Sequence, residues 1–490
     1  MRKSGILMHI TSLPNPYGIG TVGKCAYDFV DFLAKAGQAY WQILPLSPTG
    51  YGDSPYQSFS TFAGNHYLID LDMLIAEGLL KQEEADAVCW GCEESRVDYG
   101  CLYDNRLKLL HLAYERFTPD EAFRKFVGEN ADWLDDYALF MSLKSKFHGR
   151  GWQEWSLSLM LRIPEITEGY RQELQPSIQF HYFLQFKFFQ QWQALHRYAT
   201  EKGIRIIGDV PIYVPLDSAD VWANPQLFQL DAGCHPTAVA GCPPDSFNAD
   251  GQLWGNPLYN WEKMQQTGFA WWIRRLQAAS RMYDVIRLDH FRGFESYWAV
   301  PAGDPTAVGG AWKQGPGMAF IRAIQQALPT LDFIAEDLGF VTPQVRQLQE
   351  ASGYPGMKVM QFAFDSRESA DYLPHTYPVN SVCYSGTHDN LTLAQWFQEA
   401  APEDIAMATN YLGLNREEGF VPGMIRGCMS SVSKLCVIQM QDYLELGASA
   451  RMNFPGTLSS DNWTWRAKQG FITEALTQRI YETTRRYGRL

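Results

Sequence analysis

The sequence lacks any run of eighteen or more apolar residues, so no segment reads as a helix able to cross a bilayer. It also lacks a basic surplus. Lys and Arg number 41 against 54 Asp and Glu, a net charge of −13, which argues against a nucleic-acid or anionic-membrane partner held through phosphate groups. Cysteine is sparse and odd in number, nine in 490 residues. A secreted disulfide framework is dense and even, so reduced thiols are expected. The apolar stretch Gly5–Ile10 is too short for a signal-peptide core, and Pro14 and Pro16 follow at once. The expected compartment is the cytoplasm. There is no internal repeat, low-complexity tract, P-loop, G-x-S-x-G or H-E-x-x-H. The histidines lack ligand spacing, so neither a metal nor a cofactor is expected.

Two motif matches fail on context. Gly18-Ile19-Gly20-Thr21-Val22-Gly23 fits the dinucleotide pattern by letter, but Pro14 and Pro16 separate it from the preceding apolar run, and the next run ends in Leu44-Pro45-Leu46 rather than an acid. Cys89-Trp90-Gly91-Cys92 has redox or zinc spacing but no second ligand pair, and reads as incidental.

What is present is apolar residue at 46% and an aromatic set of 16 Trp, 25 Tyr and 28 Phe. This implies a large core, or a surface that stacks on flat apolar faces such as those of sugar rings. Short apolar runs recur at Gly5–Ile10, Gln42–Leu46, Ile204–Val210, Val285–Leu288, Leu331–Ala335, Lys358–Phe364 and Ser381–Tyr384. Near-continuous runs suit strands buried on both faces of a parallel sheet. Helical patterns lie between them, such as Cys25–Gly37 with its glycine C-cap. About eight such repeats predict an α/β fold, a (β/α)8 TIM barrel spanning 1–490 as a single catalytic domain. Residues 70–190 or so predict a large, mostly helical insertion. There Leu107, Leu110, Tyr114 and Phe117 share a helix face, and Thr118-Pro119-Asp120-Glu121 offers a Thr N-cap with proline at N1. Residues 215–270 or so, rich in Pro, Gly, Asn and Trp, predict a second insertion of long loops bordering the cleft.

Four runs end in acid: Asp209, Asp289, Glu336-Asp337 and, after Gly386, Asp389. A single strand-end acid can be a helix cap, but four together would crowd the C-terminal mouth of a barrel, where such folds place their chemistry. Arg287 and Asp289 stand two apart on one strand and face the same way. The pair is either a barrel-core salt bridge or a nucleophile whose pKa the arginine lowers. A second, less compensated carboxyl about 5–5.5 Å away would complete a retaining glycosidase pair. Of Glu336 and Asp337, strand alternation sends only one into the cleft. For His388 and Asp389 both to reach it, they must lie on a loop, which Gly386 permits.

These segments carry a resemblance. TSLP (11–14) with YGIG (17–20), YWQILPL (40–46), GYGDSPYQSFS (50–60), GDVPIYV (208–214), GQLWGNPLY (251–259), RLDHFRG (287–293), AEDLG (335–339), GTHDN (386–390), NFPGT (453–457) and NWTWR (462–466) are similar to the 4-α-glucanotransferases of the amylomaltase, or disproportionating enzyme, family. This is glycoside hydrolase family 77 of the α-amylase superfamily. The resemblance spans essentially the whole chain. It implies a retaining transferase acting on maltooligosaccharide and α-1,4-glucan substrates in bacterial maltose or starch metabolism. It also implies Asp289 as nucleophile, Glu336 as acid/base and Asp389 as transition-state stabiliser, with Asp209, Arg287, His290 and His388 completing the donor site. Tyr56 in GYGDSPY joins the substrate-binding set. A cleft loop at about 241–255 would add Asp245, Phe247 and Trp254, and Tyr51 would mark a second glucan site. Within the same acids, a hydrolase of that superfamily or a non-catalytic glucan-binding protein remains an alternative.

Overall fold

Val285–Leu288 is buried at all four positions, as are Ser381–Tyr384 and all five residues of Leu435–Gln439. Such segments need neighbours on both faces, and a closed parallel sheet ringed by helices supplies them. The computed structural model describes residues 2–50, 52–244, 248–365 and 372–490. In chain order its strands are β1 (Lys3–Leu7), β2 (Tyr40–Gln42), β3 (Arg205–Val210), β4 (Ala238–Cys242), β5 (Gln252–Pro257), β6 (Val285–Leu288), β7 (Ser296–Pro301), β8 (Ala311–Gln314), β9 (Asp332–Ala335), β10 (Gly356–Val359), β11 (Ser381–Tyr384) and β12 (Leu435–Gln439).

Eight of these close a barrel in the order β1-β12-β11-β10-β9-β6-β3-β2, with parallel neighbours throughout. This is the expected (β/α)8 architecture. Two predicted strands shift. The run at 42–46 contributes only its first residue to β2, and the chain then leaves the strand through buried Leu44-Pro45-Leu46, where proline has no N–H for a ladder. The run at 358–364 ends β10 at Val359 and continues as a 3-10 turn over Met360–Phe364. The eighth strand, β12, escapes the sequence reading although it is wholly buried.

The interval between β2 and β3 is helical, with long helices at Tyr99–Arg116, Ala131–Lys146 and Gln175–Glu201. The last, of 27 residues, packs on the barrel helix Lys24–Lys35 and leads directly into β3. Of the expected helix face, Leu110 is buried and Leu107, Tyr114 and Phe117 pack against the core half-buried. The expected cap is displaced. Asp120, not Thr118, caps Glu121–Glu129, accepting from the Phe123 N–H at 2.8 Å, because its carboxylate is the oxygen that reaches the N3 amide.

The interval read as long loops contains two strands instead. β4 and β5 join β7 and β8 in an antiparallel sheet of order β5-β4-β7-β8. The register of β4 on β5 shifts between Val239 and Gly241, and this bulge masks the alternation that marks a strand. The sheet meets the segments that follow β6 and β9, with Trp254 against His290, and Trp312 against Arg292 and Phe340. The G-x-G-x-x-G stretch follows a 3-10 turn at Ile10–Ser12 rather than a strand, so the nucleotide-binding geometry does not form. No described helix is long and apolar enough to cross a membrane.

Candidate active site

Strand register aligns the acids. Asp209 pairs with Arg287 across β3 and β6, and Leu288 pairs with Ala335 across β6 and β9. Asp289 and Glu336 therefore leave the barrel at the same level, one residue past each strand. Three backbone bonds hold that level: Asp289 N to Val210 O at 3.2 Å, Glu336 N to Leu288 O at 3.0 Å and Phe291 N to Glu336 O at 2.9 Å.

Arg287 is buried inside the barrel. Its Nη1 donates to Asp209 Oδ2 at 2.6 Å and to Asp289 Oδ1 at 3.0 Å. Tyr56 Oη donates to the same Asp209 Oδ2 at 2.7 Å. Asp209 Oδ1 is buried with no partner among the described residues. Arg287 thus does not serve Asp289 alone, and the expected lowering of the Asp289 pKa is reversed. Burial pushes that carboxyl up, to about 8, and Asp209, Glu336 and Asp389 add to the rise against the pull of Arg287. One cation does not offset a desolvated cluster of acids. Burial likewise raises Glu336, to about 7, with Arg287 opposing and Asp337 adding. The two carboxyls titrate as a pair that retains a proton near neutrality.

Alternation separates Glu336 from Asp337. Glu336 Oε2 accepts from the His290 N–H at 2.7 Å and Oε1 from the Leu338 N–H at 3.1 Å. Asp337 turns to the next strand and accepts from Met357 N at 2.6 Å. His290 adopts φ 46°, ψ 50°, the left-handed region that few non-glycine residues enter.

His388 and Asp389 lie in a turn beyond β11. A Cβ at Gly386 would sit 2.5 Å from Gln439 Nε2 and 2.6 Å from Gln361 Nε2, so both amides would have to move to admit a larger residue there. Asn453 Nδ2 donates to Asp389 Oδ1 at 2.6 Å, and His388 Nε2 stands 3.3 Å from Asp389 Oδ2. Arg451 Nη2 donates to the Asp389 carbonyl at 2.8 Å. Tyr56 stacks on the His388 ring at 5.2 Å, and Trp463 packs on both. Burial lowers the His388 and His290 pKa values, the latter to about 3, so both rings are neutral at pH 7. On the opposite flank, the half-buried Trp254 meets His290 edge-on at 4.9 Å.

The structure therefore gathers Asp209, Arg287, Asp289, His290, Glu336, His388, Asp389, Tyr56 and Trp254 at one mouth. Tyr51, Asp245 and Phe247 lie outside the described residues. Asn453, Arg451 and Trp463 were not singled out from sequence. The first and last stand in quoted segments, but nothing local ties them to an acid some 60 residues earlier. Among the described residues no group of three or more His, Cys, Asp or Glu could hold a metal ion.

The family model described as 4-alpha-glucanotransferase matches residues 8–473. The chain belongs to that 4-alpha-glucanotransferase family. The family's Clostridium butyricum 4-alpha-glucanotransferase is 48% identical over 98% of this chain and 100% of its own length. That of Thermus thermophilus is 48% identical over 96% of each. Among solved structures, an amylomaltase from Streptococcus agalactiae in complex with acarbose superposes with a TM-score of 0.97 at 42% identity, covering 100% of both chains. As a member of the 4-alpha-glucanotransferase family the chain is an enzyme, with 4-alpha-glucanotransferase activity.

Proposed function

We propose that this enzyme transfers segments of α-1,4-glucan to the 4-hydroxyl of an acceptor glucan or glucose through a covalent glucosyl-enzyme. The observation that carries this reading is the asymmetric contact of Arg287, which bonds Asp289 and not Glu336. The form of the pair competent for transfer carries its charge on Asp289, beside the cation, and its proton on Glu336. In the first displacement an Asp289 oxygen bonds the anomeric carbon of the donor sugar as the glycosidic C–O bond breaks, and Glu336 gives its proton to the departing oxygen. In the second, the acceptor hydroxyl gives its proton to Glu336 and attacks the same carbon, releasing Asp289. Asp389, held by Asn453, and the unpartnered oxygen of Asp209 serve donor-sugar hydroxyls. The neutral rings of His388 and His290 supply further hydrogen-bonding groups.

Water would resolve the same intermediate by hydrolysis. Transfer prevails when a bound acceptor is positioned and water is excluded. The edge-on contact of Trp254 with His290 supports its having that role. We assign the enzyme to the cytoplasm, a reading supported by its cysteines, none of which is joined in a disulfide among the described residues. The deciding experiment incubates the purified protein with maltotriose alone. A ladder of longer maltooligosaccharides plus glucose supports the reading. Maltose and glucose with nothing longer would mean a hydrolase, and unchanged maltotriose would overturn catalysis on this substrate.

A further inference from the structure

Large apolar side chains exposed one at a time are ordinary. Trp312, 37% exposed, and Phe340, 67% exposed, are different because they are paired and adjoin the catalytic acids. Phe340 lies four residues past Glu336, on the loop that follows β9. Trp312 lies on β8, whose four residues are all exposed. The two rings are 18° from parallel with centroids 6.4 Å apart, too far for a closed face-to-face stack, so they form a stepped surface.

That surface is built rather than incidental. The buried Arg292, three residues past Asp289, lays its guanidinium 3.7 Å from the Trp312 ring centre. The same guanidinium donates to the Phe340 carbonyl at 2.6 Å and to Ser296 Oγ at 2.9 Å. Trp298, opposite Trp312 in the β7–β8 ladder, packs edge-on against it at 5.1 Å. One buried cation thus fixes the indole and the Phe340 loop together, and pre-ordered rings bind with little entropic loss.

We infer that Trp312 and Phe340 form an acceptor-side stacking site for an α-1,4-glucan chain, at least one sugar beyond the bond being made. This rests on the transfer reading above. The side is assigned by chemistry. The group that protonates the departing oxygen stands between donor and leaving chain, so the loop running out from Glu336 borders the leaving and acceptor positions. The Tyr56, His388 and Trp463 cluster occupies the other flank. The occupant is a glucan because sugar rings offer flat C–H faces to aromatic rings, and neither ring presents a charge to a peptide or anion.

The test uses amylose at a fixed saturating concentration as donor and follows loss of iodine staining with glucose, maltose or maltotetraose as acceptor. For the wild type, kcat/KM is expected to be higher for maltotetraose than for glucose. In Trp312→Ala the ratio of the two values falls about tenfold, and in Phe340→Ala, where the exposed side chain has little to do with folding, it falls several-fold. Trp312→Phe restores most of the ratio. An unchanged ratio in both variants would overturn the proposal, as would an equal loss with every acceptor, which marks a displaced Arg292 and loop. A wild type with no preference for the longer acceptor would overturn it too. A wild type that leaves amylose and acceptor untouched would instead refute the transfer reading itself, which the maltotriose experiment tests separately.

Discussion

The backbone N–H of His290 reaches Oε2 of Glu336 at 2.7 Å. The residue next to Asp289 thereby ties the end of one barrel strand to the side chain beginning the loop of the next. The φ of 46° at His290 is a strained conformation maintained where geometry matters. With both Glu336 oxygens accepting backbone N–H groups, the carboxyl cannot swing away from the mouth.

Glu336→Gln preserves volume but cannot deliver a proton. Transfer from maltotriose should fall by a factor on the order of 10³ or more, while turnover of α-glucosyl fluoride, whose leaving group needs no proton, should fall far less. Asp289→Ala should lose both reactions. Equal losses of the two donors in Glu336→Gln would remove Glu336 from the acid role.

The pH profile follows from the coupled pair. Burial raises Glu336 to about 7 and Asp289 to about 8, so the limbs of kcat/KM should lie well above the ordinary carboxyl range. Arg287 lowers both groups, so its removal raises both. Arg287→Met should move the acidic limb to higher pH as well as cutting the rate. A limb below pH 5 in the wild type would contradict the clustered-acid reading.

Asn453→Ala removes the amide that fixes Asp389 Oδ1. Misplacing a group by an ångström can cost about 10² in rate. A fall in kcat of that order is expected, with the melting temperature within a few degrees of wild type. An unaltered kcat would show that Asp389 needs no such support.

Trp254→Ala should raise the ratio of hydrolysis to transfer with maltotriose, because a smaller side chain over His290 admits water to the glucosyl-enzyme. Product chromatography reads the ratio directly. A constant ratio would assign water exclusion elsewhere.

Asp442 offers a test of stability. It is fully buried beneath the barrel mouth and accepts from Ser385 Oγ at 2.6 Å and Leu393 N at 2.7 Å. Burial raises it from 3.8 to about 7. A raised folded-state pKa means that the contribution is intact below about pH 4 and is lost as pH climbs toward 7, a span on the order of 4 kcal/mol. Asp442→Asn should therefore lose less melting temperature between pH 5 and pH 8 than the wild type. An identical decline would assign the pH dependence to other groups.

The sequence by itself determined the barrel and its acids. Val285–Leu288 and Ser381–Tyr384 are legible because a strand buried on both faces is apolar throughout, and acids that end such strands share one mouth once the strands are parallel. It also separated Glu336 from Asp337 in kind, since neighbours on a strand face opposite ways, although only the family resemblance chose between them. The small antiparallel sheet was not legible, because its strands are only partly buried, bulged and drawn from two stretches of chain. Nor was the sign of the Asp289 shift. The sequence places Arg287 two residues away, but only the tertiary structure buries the carboxyl, divides that cation between Asp289 and Asp209, and brings Glu336 and Asp389 near enough to add to the rise. The same holds for Asn453, Trp463, Trp312 and Phe340, whose partners lie far along the chain. Local periodicity records which face of an element is buried, and the fold alone decides what stands opposite.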